Sequence, residues 1–146
     1  MTRIKNAEKY TYNENIRYNP AVIKKRVRLS LMQIDGKLYL VNESDEILKK
    51  VRSEIWGFCG EVTMEDNTSL LYEDIVPNEG VLVYQEIEDD GIYWSDFNIG
   101  IYLYVQSEKL GSIRITPKSS KKLGIPEQPL IFDDFTSKNS VSVIDT

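Results

Sequence analysis

The chain contains no histidine and a single cysteine, Cys59. Without histidine, Ser-His-Asp and Cys-His nucleophile arrangements are excluded, the commonest general base is missing, and nearly every zinc site is ruled out. One thiol can neither close an internal disulfide nor build a thiolate cluster, and it fits a reducing compartment. Cys59 lies between Phe58 and Gly60 with no neighbouring cation to lower its pKa, so it reads as a small buried hydrophobe. Glycine is sparse, and no glycine pair has the Lys and Ser/Thr spacing of a phosphate-binding loop. Apolar runs are short, the longest being of the order of residues 101–105, which cannot span a bilayer as a helix. Residues 1–9 carry basic side chains but no apolar segment of the secretory type. These absences predict a soluble, cytoplasmic, non-enzymatic protein without cofactor or metal. Asn42-Glu43-Ser44 and Asn67-Thr68-Ser69 then read as turns, not glycosylation sites.

What is present favours strands. Nine tyrosines accompany many valines and isoleucines, while 41% hydrophobic and 28% charged residues are ordinary proportions for a folded domain. A chain of 146 residues suits one domain. Tyr10, Tyr12, Ile16 and Tyr18 share one parity and suggest an edge strand ending at Asn19-Pro20. Val27, Leu29 and Leu31 alternate with Arg28 and Ser30, which predicts a strand with a polar outer face. Asp35-Gly36 then separates that strand from residues 38–41, the signature of a type I′ hairpin. Residues 47–54 fit a short helix or a twisted strand, and 55–62 read as a strand despite Gly57 and Gly60. A turn at residues 77–80 opens another strand over 81–87, and Asp89-Asp90-Gly91 marks the next reversal. Ile99, Ile101, Leu103 and Val105 form one face of a long strand, with Tyr102, Tyr104 and Gln106 on the other. Residues 111–116 give a further strand that Pro117 ends. Two short apolar pieces, 130–132 and 141–143, then offer an edge hairpin or a packed arm.

About seven short strands joined by tight turns predict a mainly β protein, an antiparallel sandwich with little helix. The run from Tyr39 to Glu46, with Pro77-Asn78-Glu79-Gly80-Val81 later, resembles the strand-and-turn rhythm of immunoglobulin-like sandwiches over roughly residues 27–118. The expected organisation is an N-terminal basic, tyrosine-rich edge strand or arm over 1–26, a sandwich core over 27–118 and an irregular extension over 119–146 packing on the same domain.

Charge is distributed unevenly. The net charge is -5, but residues 1–28 hold eight Lys/Arg against two Asp/Glu, whereas residues 61–110 hold one Lys against twelve Asp/Glu. An acidic middle disfavours nucleic acid and suits a protein partner with a basic surface. The basic run Lys24-Lys25-Arg26-Val27-Arg28 resembles a phosphate-binding patch, yet cations on an edge strand also serve to block edge-to-edge aggregation. Glu86, Glu88, Asp89, Asp90 and Asp96 are the densest acids; their spacing matches no EF-hand loop, and a solvated hairpin tip accounts for them. Tyr93, Trp94 and Phe97 follow at once, and aromatic anchors beside steering acids are the composition of a binding hot spot. The predicted partner-binding site is therefore Glu86, Glu88, Asp89, Asp90, Tyr93, Trp94, Asp96 and Phe97, the alternative being that the aromatics belong to the core.

A small acidic domain without reactive groups is similar in character to the immunity proteins that bacteria pair with toxins. That resemblance implies an inhibitor whose acids and aromatics occupy a basic active site, and it leaves room for a homodimer. An adaptor or structural subunit of a phage or secretion assembly, associating head to tail through its opposite charges, is the second reading. An enzyme using carboxylates alone is the third.

Overall fold

A computed structural model of the protein describes residues 3–5, 26–59, 62–63, 69–85, 98–119 and 125–144. At its centre lies a hairpin formed by β2 (Val27–Ile34) and β3 (Lys37–Asn42). Asp35 and Gly36 turn the chain with φ of 51° and 77°, the two positive values a type I′ turn requires. The chain continues into β4 (Leu48–Cys59), β5 (Val62–Thr63) and β6 (Ser69–Ile75), reverses at Pro77-Asn78, and runs back along β7 (Gly80–Gln85). The long β8 (Asn98–Ser107) and β9 (Gly111–Thr116) form the next hairpin, followed by β10 (Gln128–Phe132) and β11 (Ser140–Val143), while β1 (Arg3–Ile4) precedes them all.

These strands make two antiparallel sheets. Sheet A has the order β1-β7-β3-β2-β10, and sheet B runs β11-β9-β8-β4, with β5 and β6 both pairing the far side of β4. The inward side chains pack together: Leu29, Leu31, Leu38, Leu40, Val81 and Val83 of sheet A meet Leu48, Val51, Ile101, Leu103, Val105 and Ile115 of sheet B in one core. Each side chain buried there contributes ~1.5–3 kcal/mol. The protein is thus an antiparallel β-sandwich, with no helix among the described residues and eleven strands where about seven were expected. The surplus comes largely from short pairings such as β1 and β5, and from β6.

Two expectations change, and the alternative left open at residues 47–54 resolves as strand from Leu48 on. Arg28 and Ser30 are buried rather than solvated, at 4% and 0% exposure, because sheet A is covered on both faces. Met32, Ile34, Tyr39, Val41, Leu82 and Ile4 form a second apolar cluster on its outer side. Residues 48–59 are one continuous strand, and its helix-like spacing has a specific cause. A register shift between Leu48 and Lys50 inserts one residue, so that Leu48 and Val51, three apart, both face the core. The two C-terminal pieces are neither a hairpin nor an arm: β10 pairs with β2 at the edge of sheet A and β11 pairs with β9 at the edge of sheet B.

Polar side chains fasten the layers. Fully buried Asn42 donates from Nδ2 to the carbonyls of Glu46 (2.8 Å) and Ile75 (3.0 Å) and accepts at Oδ1 from Ser44. Tyr72 on β6 donates to the Leu82 carbonyl of β7 at 2.7 Å, tying sheet B to sheet A; burial raises the pKa of its hydroxyl. Arg3 grips the buried Glu79 with two bonds of 3.1 and 2.7 Å, which holds β1 against the turn before β7.

Candidate binding face

The outer face of sheet B is built from alternate residues of five strands. β4 carries Lys50, Arg52 and Glu54 outward; β8 opposes them with Gln106, Tyr104 and Tyr102, in register residue by residue. β9 places Ser112 and Arg114 beside Gln106 and Tyr104, while β6 places Glu73 and Leu71 beside Lys50 and Arg52. One row across the sheet therefore reads Leu71, Arg52, Tyr104, Arg114, Ser142.

The cations on this face are held in place. The Arg52 guanidinium lies 3.9 Å from the centroid of the Tyr104 ring and donates to Glu54 at 3.0 Å. Arg114 lies 4.9 Å from the Tyr102 ring. Stacking on a ring fixes a planar cation, at a lower entropic cost than a free arginine would incur on binding. Beside this row is a groove of about 460 Å³, whose walls include Lys50, Arg52, Leu71, Tyr104, Ser112 and Ile144. Leu71 is 58% exposed, a large apolar side chain set between cations. The arrangement offers hydrogen-bond donors over an apolar floor, suited to a peptide backbone or an acidic side chain, and it contains no pair of groups in nucleophile–base contact.

A second charged cluster lies at one end of the sandwich and is enclosed. The Arg28 side chain, 5% exposed, donates to Glu46 at 2.5 Å. Glu46 also accepts from Ser107 Oγ (3.0 Å) and from the Lys109 amide (3.2 Å). Burial pushes the Glu46 carboxyl up, but the bonds from Arg28, Lys109 and Ser107 outweigh it and hold its pKa below the ordinary value. Arg28 also lies 5.1 Å from the ring of Phe135. Through Glu46 the cluster links Arg28 of β2 to Ser107 and Lys109 at the β8–β9 turn, so it is a structural joint.

The site expected from sequence, Glu86, Glu88, Asp89, Asp90, Tyr93, Trp94, Asp96 and Phe97, lies outside the described residues, as do Tyr10, Tyr12, Tyr18, Lys24 and Lys25. Its place in the connectivity is defined: β7 of sheet A ends at Gln85 and β8 of sheet B begins at Asn98. Sequence reasoning missed the groove because its walls come from four strands that only non-local pairing brings together. A signal existed in the matching outward phases of Lys50-Arg52-Glu54 and Tyr102-Tyr104-Gln106. In comparisons with known proteins, the chain matches no family model, no curated protein and no solved structure.

Proposed function

We propose that this domain is a non-catalytic protein-binding module of the inhibitor type, which engages a partner polypeptide along the groove of sheet B. The observation that carries the reading is the groove itself: Arg52 fixed on Tyr104 beside the exposed Leu71. Arginine, tyrosine and a protruding apolar side chain in one concavity form the anchor chemistry of protein interfaces. The donors of Arg52 and Lys50 suit partner carbonyl and carboxylate oxygens. The acidic residues 61–110 supply a field that draws in a partner of basic overall charge, as an antagonist of a bacterial toxin requires. Within this reading, residues 86–97 form a second contact and the domain works in the cytoplasm.

The test begins with affinity capture from the native host and continues with titration of the captured partner against variants. Leu71→Asp and Arg52→Ala should each weaken binding by about 2 kcal/mol, chiefly through faster dissociation, with the melting temperature unchanged. Neutralising Glu88, Asp89 and Asp90 together should slow association and flatten its salt dependence. If the Leu71 and Arg52 variants bind as the wild type does, the groove is not the contact surface and the reading fails.

A further inference from the structure

Among the described residues, the outermost strands of the two sheets differ in how they are protected. On sheet A, β10 carries Pro129 and two register shifts against β2, both of which spoil an edge for further pairing. On sheet B, β6 bears Glu73 and Asp74, the latter at φ 55°, which bends and charges that edge. β11 has none of these devices. Its sequence is Ser140-Val141-Ser142-Val143, uncharged and without proline, and its register against β9 runs without a shift. Its valines are 38% and 85% exposed.

The hydrogen-bond phase of β11 determines what this edge presents. The Ile144 amide donates to the Ser112 carbonyl at 3.0 Å, and Ile144 stands opposite Ser112 in the continuation of the register. Antiparallel ladders alternate between bonded and non-bonded pairs, so Ser142 and Ser140 also exchange bonds with β9. The N–H and C=O groups of Val141 and Val143 consequently point away from β9, at the open edge. A twofold axis through Ser142 would set Val141 opposite Val143 of another chain. That pairing satisfies all four backbone groups of each strand, and it aligns the four valines on one face and the serines on the other.

We propose that β11 is a self-complementary edge through which two copies of this chain pair antiparallel about Ser142, fusing their B sheets into one continuous sheet. The occupant is a second copy because the edge is its own complement in phase, in side-chain size and in lack of charge; an isologous contact requires this of a surface. The pairing would set the two outward faces of sheet B side by side, so that the dimer presents two grooves. This inference is independent of the binding reading above and goes beyond it, since it names a partner that requires neither Arg52 nor Leu71.

Sedimentation equilibrium of the full chain over roughly 10 µM to 1 mM, the range of a small interface, tests it. The wild type should pass from monomer to dimer, equally at low and high salt because the edge is uncharged. Val143→Pro removes one outward N–H without touching the bonds to β9, and Val143→Lys places a charge opposite Val141 of the second copy. Each should raise the dimer dissociation constant at least tenfold while the melting temperature stays within a few degrees of wild type. A wild type that remains monomeric throughout overturns the proposal. So does a dimer that both Val143 variants retain, or one that high salt dissolves, which would mark a charge-driven contact elsewhere.

Discussion

Strands β2 and β3 of sheet A bury side chains of both parities, whereas β4, β8 and β9 of sheet B bury one parity and leave the other at the surface. Ser30 and Met32 are as enclosed as Leu29 and Leu31, while Tyr102 and Tyr104 are half-exposed between buried Ile101, Leu103 and Val105. The two sheets share a core and a strand geometry, so the difference lies in what covers their outer faces. A polar residue in a strand therefore does not by itself mark solvent: Arg28 sits inside with Glu46 and Asp133 as its charged partners. The outer face of sheet B instead carries stacked cations and aromatics, Arg52 on Tyr104 and Arg114 on Tyr102.

The largest effect is expected at the joint between the sheets. Glu46→Ala would strip the buried Arg28 guanidinium of its hydrogen-bonded carboxylate, leaving only the Asp133 carboxylate at 3.8 Å, and should cost about 3–5 kcal/mol, read from denaturant unfolding. Arg28→Met combined with Glu46→Leu should recover much of that loss. A Glu46→Ala variant of wild-type stability would show that the cluster is solvated and not a joint. Next is the contrast between the outer faces. Met32→Ala, on the outer side of sheet A, should cost about 2–5 kcal/mol, whereas Gln106→Ala, on the outer side of sheet B, should change stability by no more than about 0.5 kcal/mol. Equal effects would erase the distinction between the sheets.

The smallest effect concerns pH. The Glu46 carboxyl is held below its ordinary value of 4.5 in the folded protein. The stability it adds is therefore fully present above that value and is lost as the pH falls through the lower, folded-state pKa. The melting-temperature gap between wild type and Glu46→Gln should stay constant from neutral pH down to about 5 and narrow below it. A gap that widens on acidification would reverse the sign of the assignment.

Much of the architecture could be read from residues alone, and the misses share a cause. Asp35-Gly36 announced its hairpin because a type I′ turn makes a local demand on two residues. β8 and β9 were readable because their alternation is intact and one of their faces is open. β6 was missed: Leu70 and Leu71 are adjacent and both apolar, and Leu71 is exposed, so no period of two is visible. The inserted residue at Lys49 made β4 look partly helical. The groove was invisible for a different reason, since Leu71, Arg52, Tyr104 and Ser112 become neighbours only through pairings between distant parts of the chain. The acidic and aromatic segment 86–97 remains a proposal resting on sequence, placed by the structure only as the connection between β7 and β8.

The pairing of β2 with β10 sets a clock on the chain's synthesis. Val27 finds its partner only at Phe132, and Leu31 at Gln128, while β4 must wait for β8. A ribosome adding residues at about 5–20 per second leaves roughly 5–20 s between the appearance of β2 and that of its edge neighbour. Throughout that interval Val27–Ile34, with apolar side chains on both faces, is bounded by the β3 hairpin on one side only. The nascent chain thus carries an adhesive, half-paired ribbon until β10 has emerged, and holding chaperones should bind that ribbon in preference to the strands of sheet B.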